Sequence, residues 1–237
     1  MSSVIRPTRR EERRAQTIRE IKALAMEQVS EGGPDALSLS AIVRQMSMSP
    51  AAVYRYFANR DALLADLVVD AYNDLAESLV AIERGTATAE DHLDAVLRGT
   101  RAWALRNPNA YRLIFQTTVG SGEEFAADRT VAASSRSMAV VIRALAAVAG
   151  RDGPAAADPP RAHRAMLEAI RSWADRTGVT DISDEVLILA FLTWTRLHGI
   201  ISLELGGHLS ATGIGAGVLF DAEVETIRAQ AARLPRA

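Results

Sequence analysis

Residues 38–60 read SLSAIVRQMSMSPAAVYRYFANR, the pattern of two short helices joined by a tight turn. Ser38 suits the N-cap of the first helix, whose Leu39, Ile42, Val43 and Met46 recur at helical spacing. Ser47 and Met48 form the turn. Ser49 is placed to cap the second helix, and Pro50 fits its first position, where the missing N–H had no partner anyway. Pro50, Val53 and Phe57 are expected to share an inward face, leaving Ala51, Ala52 and Arg55 outward, with Tyr54 and Tyr56 at the flanks. Such a face suits a helix in the major groove of DNA. The alanines admit close approach and can touch a thymine methyl, Arg55 can reach a guanine edge, and the tyrosine hydroxyls can reach phosphate. The competing reading is a helical hairpin within a larger bundle, with Tyr54 and Tyr56 as ordinary surface aromatics.

Over residues 10–65 the chain resembles the TetR family of ligand-controlled transcriptional repressors. The residues that carry the resemblance are Ile42-Val43, then Met48 through Phe57, then Asn59-Arg60-Asp61-Ala62-Leu63-Leu64. Two positions depart from the family pattern. Ser47 stands where a turn glycine is usual, and Val43 where an alanine is usual. Ser47 is therefore expected to take a left-handed backbone conformation, at about 1–2 kcal/mol for a residue with a Cβ. The resemblance implies an all-α protein with a DNA-binding domain over 1–60, made of three helices with a helix-turn-helix. A larger helical regulatory and dimerisation domain would occupy 61–237. Tyr54, Arg55 and Tyr56 are then the central DNA contacts. Ser49, Ala51 and Ala52 would meet bases or nearby backbone, and Ser38, Arg44 and Arg60 phosphate.

Composition agrees with this class. Among 237 residues, 49% are apolar, prolines are few and cysteines are absent, which favours helix and excludes a disulfide framework or cysteine metal site. The first twenty residues are charged and lack a signal-peptide core. No stretch reads as a membrane span, so a soluble, cytoplasmic protein without a membrane partner is expected. Net charge is −2, but residues 1–60 hold ten basic and six acidic side chains, a balance of +4, leaving −6 on the remainder. A basic end on an acidic body fits docking of that end on phosphate. Arg6, Arg9 and Arg10 form either a basic arm for phosphates or a minor groove, or a loose tail.

Apolar periodicity predicts helices over 8–31, 61–83, 89–106, 110–116, 123–149, 161–176, 183–205 and 218–233, with Gly/Pro-rich connectors at 150–160 and 206–217. Within 194–205, WTRLHGIISLEL places Trp194 and His198 one turn apart, followed by Gly199. This resembles a C-terminal domain type found in part of the same family, where the last two long helices pair with those of a second subunit in a four-helix bundle. Leu197 and Ile201 are expected at that seam. Gly199 costs helix stability, so another backbone packed close to it is the expected reason.

No catalytic or metal constellation is present. His92, His163, His198 and His208 lack ligand spacing, and there is no Gly-x-Ser-x-Gly elbow or Walker loop. Gly213-Ile214-Gly215-Ala216-Gly217 follows no strand and reads as a linker. No cofactor is expected. The large side chains Trp103, Tyr111, Phe115, Met138, Met166, Trp173 and Trp194, with His198, either fill a core or line a mostly apolar effector cavity, with Arg143, His163 or His198 as polar handles. The expectation is a homodimeric repressor that binds a double-stranded operator and is released by a small apolar effector. A small helical enzyme, and a DNA-binding regulator or activator that takes no ligand, are the alternatives.

Overall fold

A computed structural model describes residues 8–85, 87–115, 124–149 and 161–234; the expectations for Arg6, the side chain of His163 and the 150–160 connector lie outside them. Among the described residues the chain is helical throughout, without strands. The helices are α1 (Arg9–Gly32), α2 (Leu39–Gln45), α3 (Pro50–Val53), α4 (Arg60–Val80), α5 (Ala89–Arg106), α6 (Pro108–Phe115), α7 (Glu124–Val148), α8 (Arg161–Thr177), α9 (Asp184–Leu205) and α10 (Ala216–Ala232). Capping residues set many of the boundaries. Thr8 and Glu11 form a capping box at α1, while Ser38, Thr88 and Ser183 accept backbone N–H groups at α2, α5 and α9.

The described residues form two compact units. One runs to Ala71 and takes in α6 and the start of α7; the other holds Tyr72–Pro108 and the chain from Asp128 onward. The division falls inside α4, because the stripe of that single helix serves two cores. Leu63, Leu64, Leu67, Val68 and Ala71 are buried before it, Leu75 and Leu79 after it. In the first unit Ile21, Ala25 and Val29 of α1 join Ile42, Val43, Val53 and Phe57 in the core. Lys22 fastens α1 to α4 by pairing with Asp66 at 3.0 Å and Asp70 at 2.7 Å. Burial pulls the Lys22 pKa down, but the hydrogen bonds to Asp70 and Asp66 more than offset it and leave it raised.

Ser47 adopts φ 53°, as its place in the turn requires. Ser47→Gly is expected to raise stability by about 1 kcal/mol in chemical denaturation, since only the left-handed strain is removed. A lower midpoint would show that the serine is stabilised in some other way.

In the second unit α9 packs against α5, α8 and α10. One sequence expectation is corrected here. Asp184–Leu205, and Arg129–Val148 within α7, are long and apolar enough to cross a membrane by length and composition. In both, a large share of the stretch is buried against neighbouring helices, and a core helix passes the same test.

Candidate nucleic-acid interface

The two-helix motif forms from local signals. The Ser38 hydroxyl accepts the Ala41 N–H at 3.3 Å, and the Ser38 N–H donates to Gln28 Oε1 at 2.8 Å, which ties the start of α2 to α1. After the turn, Met48 N–H donates to the Val43 carbonyl at 3.0 Å. Ser49 caps α3 by backbone geometry only; its hydroxyl makes no capping bond and faces solvent. α3 spans a single turn and continues as a looser coil, with Tyr56 and Phe57 N–H groups donating to the Val53 carbonyl.

The faces of α3 differ from expectation at two positions. Ala52 is buried, so it is withdrawn from the base-contacting set, and Pro50 is exposed. Ala52 and Val53 are both buried in the single turn of α3, and the coil that follows brings Phe57 into the same core. Ser49, Ala51, Tyr54 and Arg55 face solvent, Tyr54 being 57% exposed, and Tyr56 is half-buried. Arg44 is exposed in the last turn of α2.

Arg60 is held within the chain rather than left free. Its Nη2 donates to the Pro34 carbonyl at 2.5 Å and its Nε to the Leu37 carbonyl at 3.2 Å. The guanidinium also pairs with Asp35 at 3.3 Å and Asp61 at 3.2 Å. A cation at the head of α4, unfavourable to the helix dipole, is explained by these partners.

A groove of about 590 Å³ lies along the first turns of α1, lined by Arg9, Arg10, Arg13, Arg14 and Thr17 together with Arg55 and Tyr56. Arg14 crosses it. Its guanidinium stands 5.1 Å from the Tyr56 ring centroid and donates to the Arg55 carbonyl at 3.4 Å. The sequence reading assigned only Arg6, Arg9 and Arg10 to an arm. The i, i+4 spacing of Arg9 with Arg13, and of Arg10 with Arg14, was the available sign of a single basic face.

The residues expected to line an effector cavity are dispersed. In the second unit Trp103 is buried and donates from its indole to Asp74 at 2.7 Å, and Met138 is buried. Trp173 packs edge-on against Phe191, and Trp194 against His198. Tyr111 and Phe115 belong to the other unit and pack on each other, and Met166 is half-buried on α8. None of the eight lines a cleft of about 390 Å³ found in the second unit. That cleft is formed by Val80 at the end of α4, by Ser135, Arg136, Ala139, Ile142 and Arg143 of α7, and by residues 177–180 and Ile182. Arg143 is the one expected handle found there.

The outer side of α9 is also informative. From Phe191 to Leu203 its sole ionic side chain is Arg196, which bonds Gln230 of α10 at 2.9 Å. Trp194 and Leu203 are exposed, and burial holds the His198 pKa down at about 4, leaving it neutral near pH 7. Leu197 and Ile201, expected at a subunit seam, are buried inside the chain instead. A Cβ at Gly199 would meet nothing within 4 Å.

Comparison with known proteins agrees with this arrangement. Residues 21–67 match the family described as bacterial regulatory proteins, tetR family, and residues 93–227 match the tetracyclin repressor-like C-terminal domain. HTH-type transcriptional regulator Mb1846 of Mycobacterium bovis and Rv1816 of Mycobacterium tuberculosis are each 33% identical over 232 residues, covering 96% of this chain and 97% of theirs. A solved regulatory protein, SCO4313, is 36% identical with a TM-score of 0.75, over 93% of this chain and 98% of its own. The transcriptional regulator FadR from Bacillus subtilis, solved in complex with stearoyl-CoA, shares the fold at 14% identity with a TM-score of 0.59, over 90% and 98% of the two chains. With both family domains in order and full-length relatives at this identity, the chain belongs to the TetR family of DNA-binding transcriptional regulators.

Proposed function

We propose that the protein is a cytoplasmic repressor that binds a near-palindromic operator as a homodimer and leaves it when a small ligand occupies the second unit. The observation that carries this reading is the outward side of α3, where Ser49, Ala51, Tyr54 and Arg55 are all open to solvent. Two copies of that helix would enter major grooves about 34–36 Å apart, or at a related spacing. The uncharged outer side of α9 supports the pairing of subunits. An interior glycine costs a helix about 1 kcal/mol relative to alanine, and among the described residues no group of the same chain approaches Gly199 closely enough to require it. A second copy of α9 supplies the close neighbour.

The cleft between α7 and the α8–α9 connection gives the ligand reading its support. Val80, Ile142, Val179 and Ile182 offer apolar surface, and Arg136 and Arg143 offer two guanidinium groups on one side of α7. This suits an amphipathic anion better than the wholly apolar effector expected from sequence. Val80 lies at one end of α4 and Arg60, which holds the approach to α2, at the other. The helix runs 21 residues, about 30 Å at 1.5 Å per residue, so a ligand that favours one setting of Val80 has a continuous element through which to act. Release requires that the ligand prefer the conformer unable to span the operator.

The test is a gel-shift series on DNA upstream of the protein's own gene, with and without candidate amphipathic anions, alongside sedimentation of the free protein. Dimers that shift one segment specifically, and lose it on ligand addition, are expected. A monomer in sedimentation, or equal binding to all segments, would remove the dimeric-operator reading.

A further inference from the structure

We infer that the α1 groove is a phosphate-binding track, in which Arg9, Arg10, Arg13 and Arg55 grip one strand of the duplex beside the site read by α3. The inference rests on the DNA-binding reading and adds residues 9–17, which precede the matched family segment at 21–67.

Three observations carry it. The groove gathers five arginines, four from α1 and Arg55 from the coil after α3, and among the described residues Arg9, Arg10 and Arg13 have no ion-pair partner. Of the two acids in the first turn of α1, Glu11 and Glu12, Glu11 is engaged with Thr8: its carboxylate accepts from the Thr8 N–H at 2.7 Å and from the Thr8 hydroxyl at 2.8 Å, which holds its pKa down. Second, Arg9 and Arg10 occupy the first two positions of α1, where the helix dipole disfavours cations. Positive charge at this end of a helix, offset only in part by Glu11 and Glu12 of the same turn, is an electrostatic cost that a polyanion would relieve. Third, Arg14 is fixed across the groove on Tyr56 and the Arg55 carbonyl, so α1 and the coil after α3 present their cations as one surface. Arg14 is therefore a positioning residue. The placement also changes the role of Arg55. It belongs to the phosphate row rather than to a guanine edge.

The experiment measures duplex binding of the full chain against salt concentration, on a cognate and a random sequence. The proteins are wild type, R9Q/R10Q/R13Q, R55A and R19Q; Arg19 lies on the same helix but outside the groove. Each phosphate contact contributes about 0.9 to the slope of log affinity on log salt. The triple variant is expected to flatten the slope by about 2 to 3 and R55A by about 0.9, with specific and random affinity falling in the same proportion. R19Q should leave the slope unchanged. An unchanged slope in the triple variant, with wild type still binding, would overturn the groove alone. So would an equal loss per charge in R19Q, which would make net charge responsible. A loss in R55A confined to the cognate sequence would return Arg55 to base reading and overturn the shared row. Failure of the wild type to bind any duplex overturns the DNA-binding reading itself.

Discussion

Gly199→Leu is expected to yield a folded monomer that has lost its grip on the operator. A Cβ at this site has no neighbour within 4 Å among the described residues, and leucine replaces a poor helix former by a good one. The isolated subunit should be no less stable than wild type. Across a two-fold interface the same leucine appears twice where helices need close approach. Overpacking costs about 1–3 kcal/mol per site, so about 2–6 kcal/mol in total, or about 30-fold to 20,000-fold in the dimer dissociation constant. Sedimentation velocity and far-UV circular dichroism check both halves. Ile201→Asp makes the contrast, because Ile201 is fully buried in its own chain and a carboxylate there should unfold the second unit rather than separate subunits. A Gly199→Leu protein that still sediments as a dimer would exclude this face of α9 from the interface.

Arg60→Ala is expected to lower stability by about 1–3 kcal/mol and to leave the salt dependence of DNA binding unchanged. Hydrogen bonds from a charged donor contribute about 1.5–3 kcal/mol each, and the partial exposure of this guanidinium reduces that figure. The two carbonyls it holds, Pro34 and Leu37, belong to the 3-10 turn that delivers the chain to Ser38 at the start of α2. Arg60→Lys should recover little, since a single ammonium cannot reproduce the fork that bonds both carbonyls and Asp35. Thermal unfolding gives the first quantity, and affinity measured from low to high salt gives the second. A slope flattened by about 0.9 with undiminished stability would place Arg60 on phosphate after all.

The limits of reading one face from a short helix show at Ala52. Its spacing from Val53 and Phe57 is compatible with either side until the coil after Val53 fixes where Tyr56 and Phe57 lie. Leu197 and Ile201 show a related limit. Apolar periodicity identifies them as buried, but it does not say whether the cover is α10 of the same chain or a helix of another. The missing charge along the outer side of α9 was present in the sequence, and it acquired meaning once Arg196 was seen to turn toward Gln230.

Sequence alone determined the helices, the Ser38 cap, the turn strained at Ser47 and the family pattern from Ile42 to Leu64. All of these rest on interactions between residues three to five positions apart, and such spacings are visible in a single chain. Tertiary structure decided which cations are free and which are held. Lys22 meets Asp66 and Asp70, Arg60 meets Pro34 and Leu37, and Arg14 meets Tyr56 across separations that no local period encodes. Charge acts through space, so the supply of basic residues is legible in the sequence, while their availability to phosphate depends on the fold that distributes their partners.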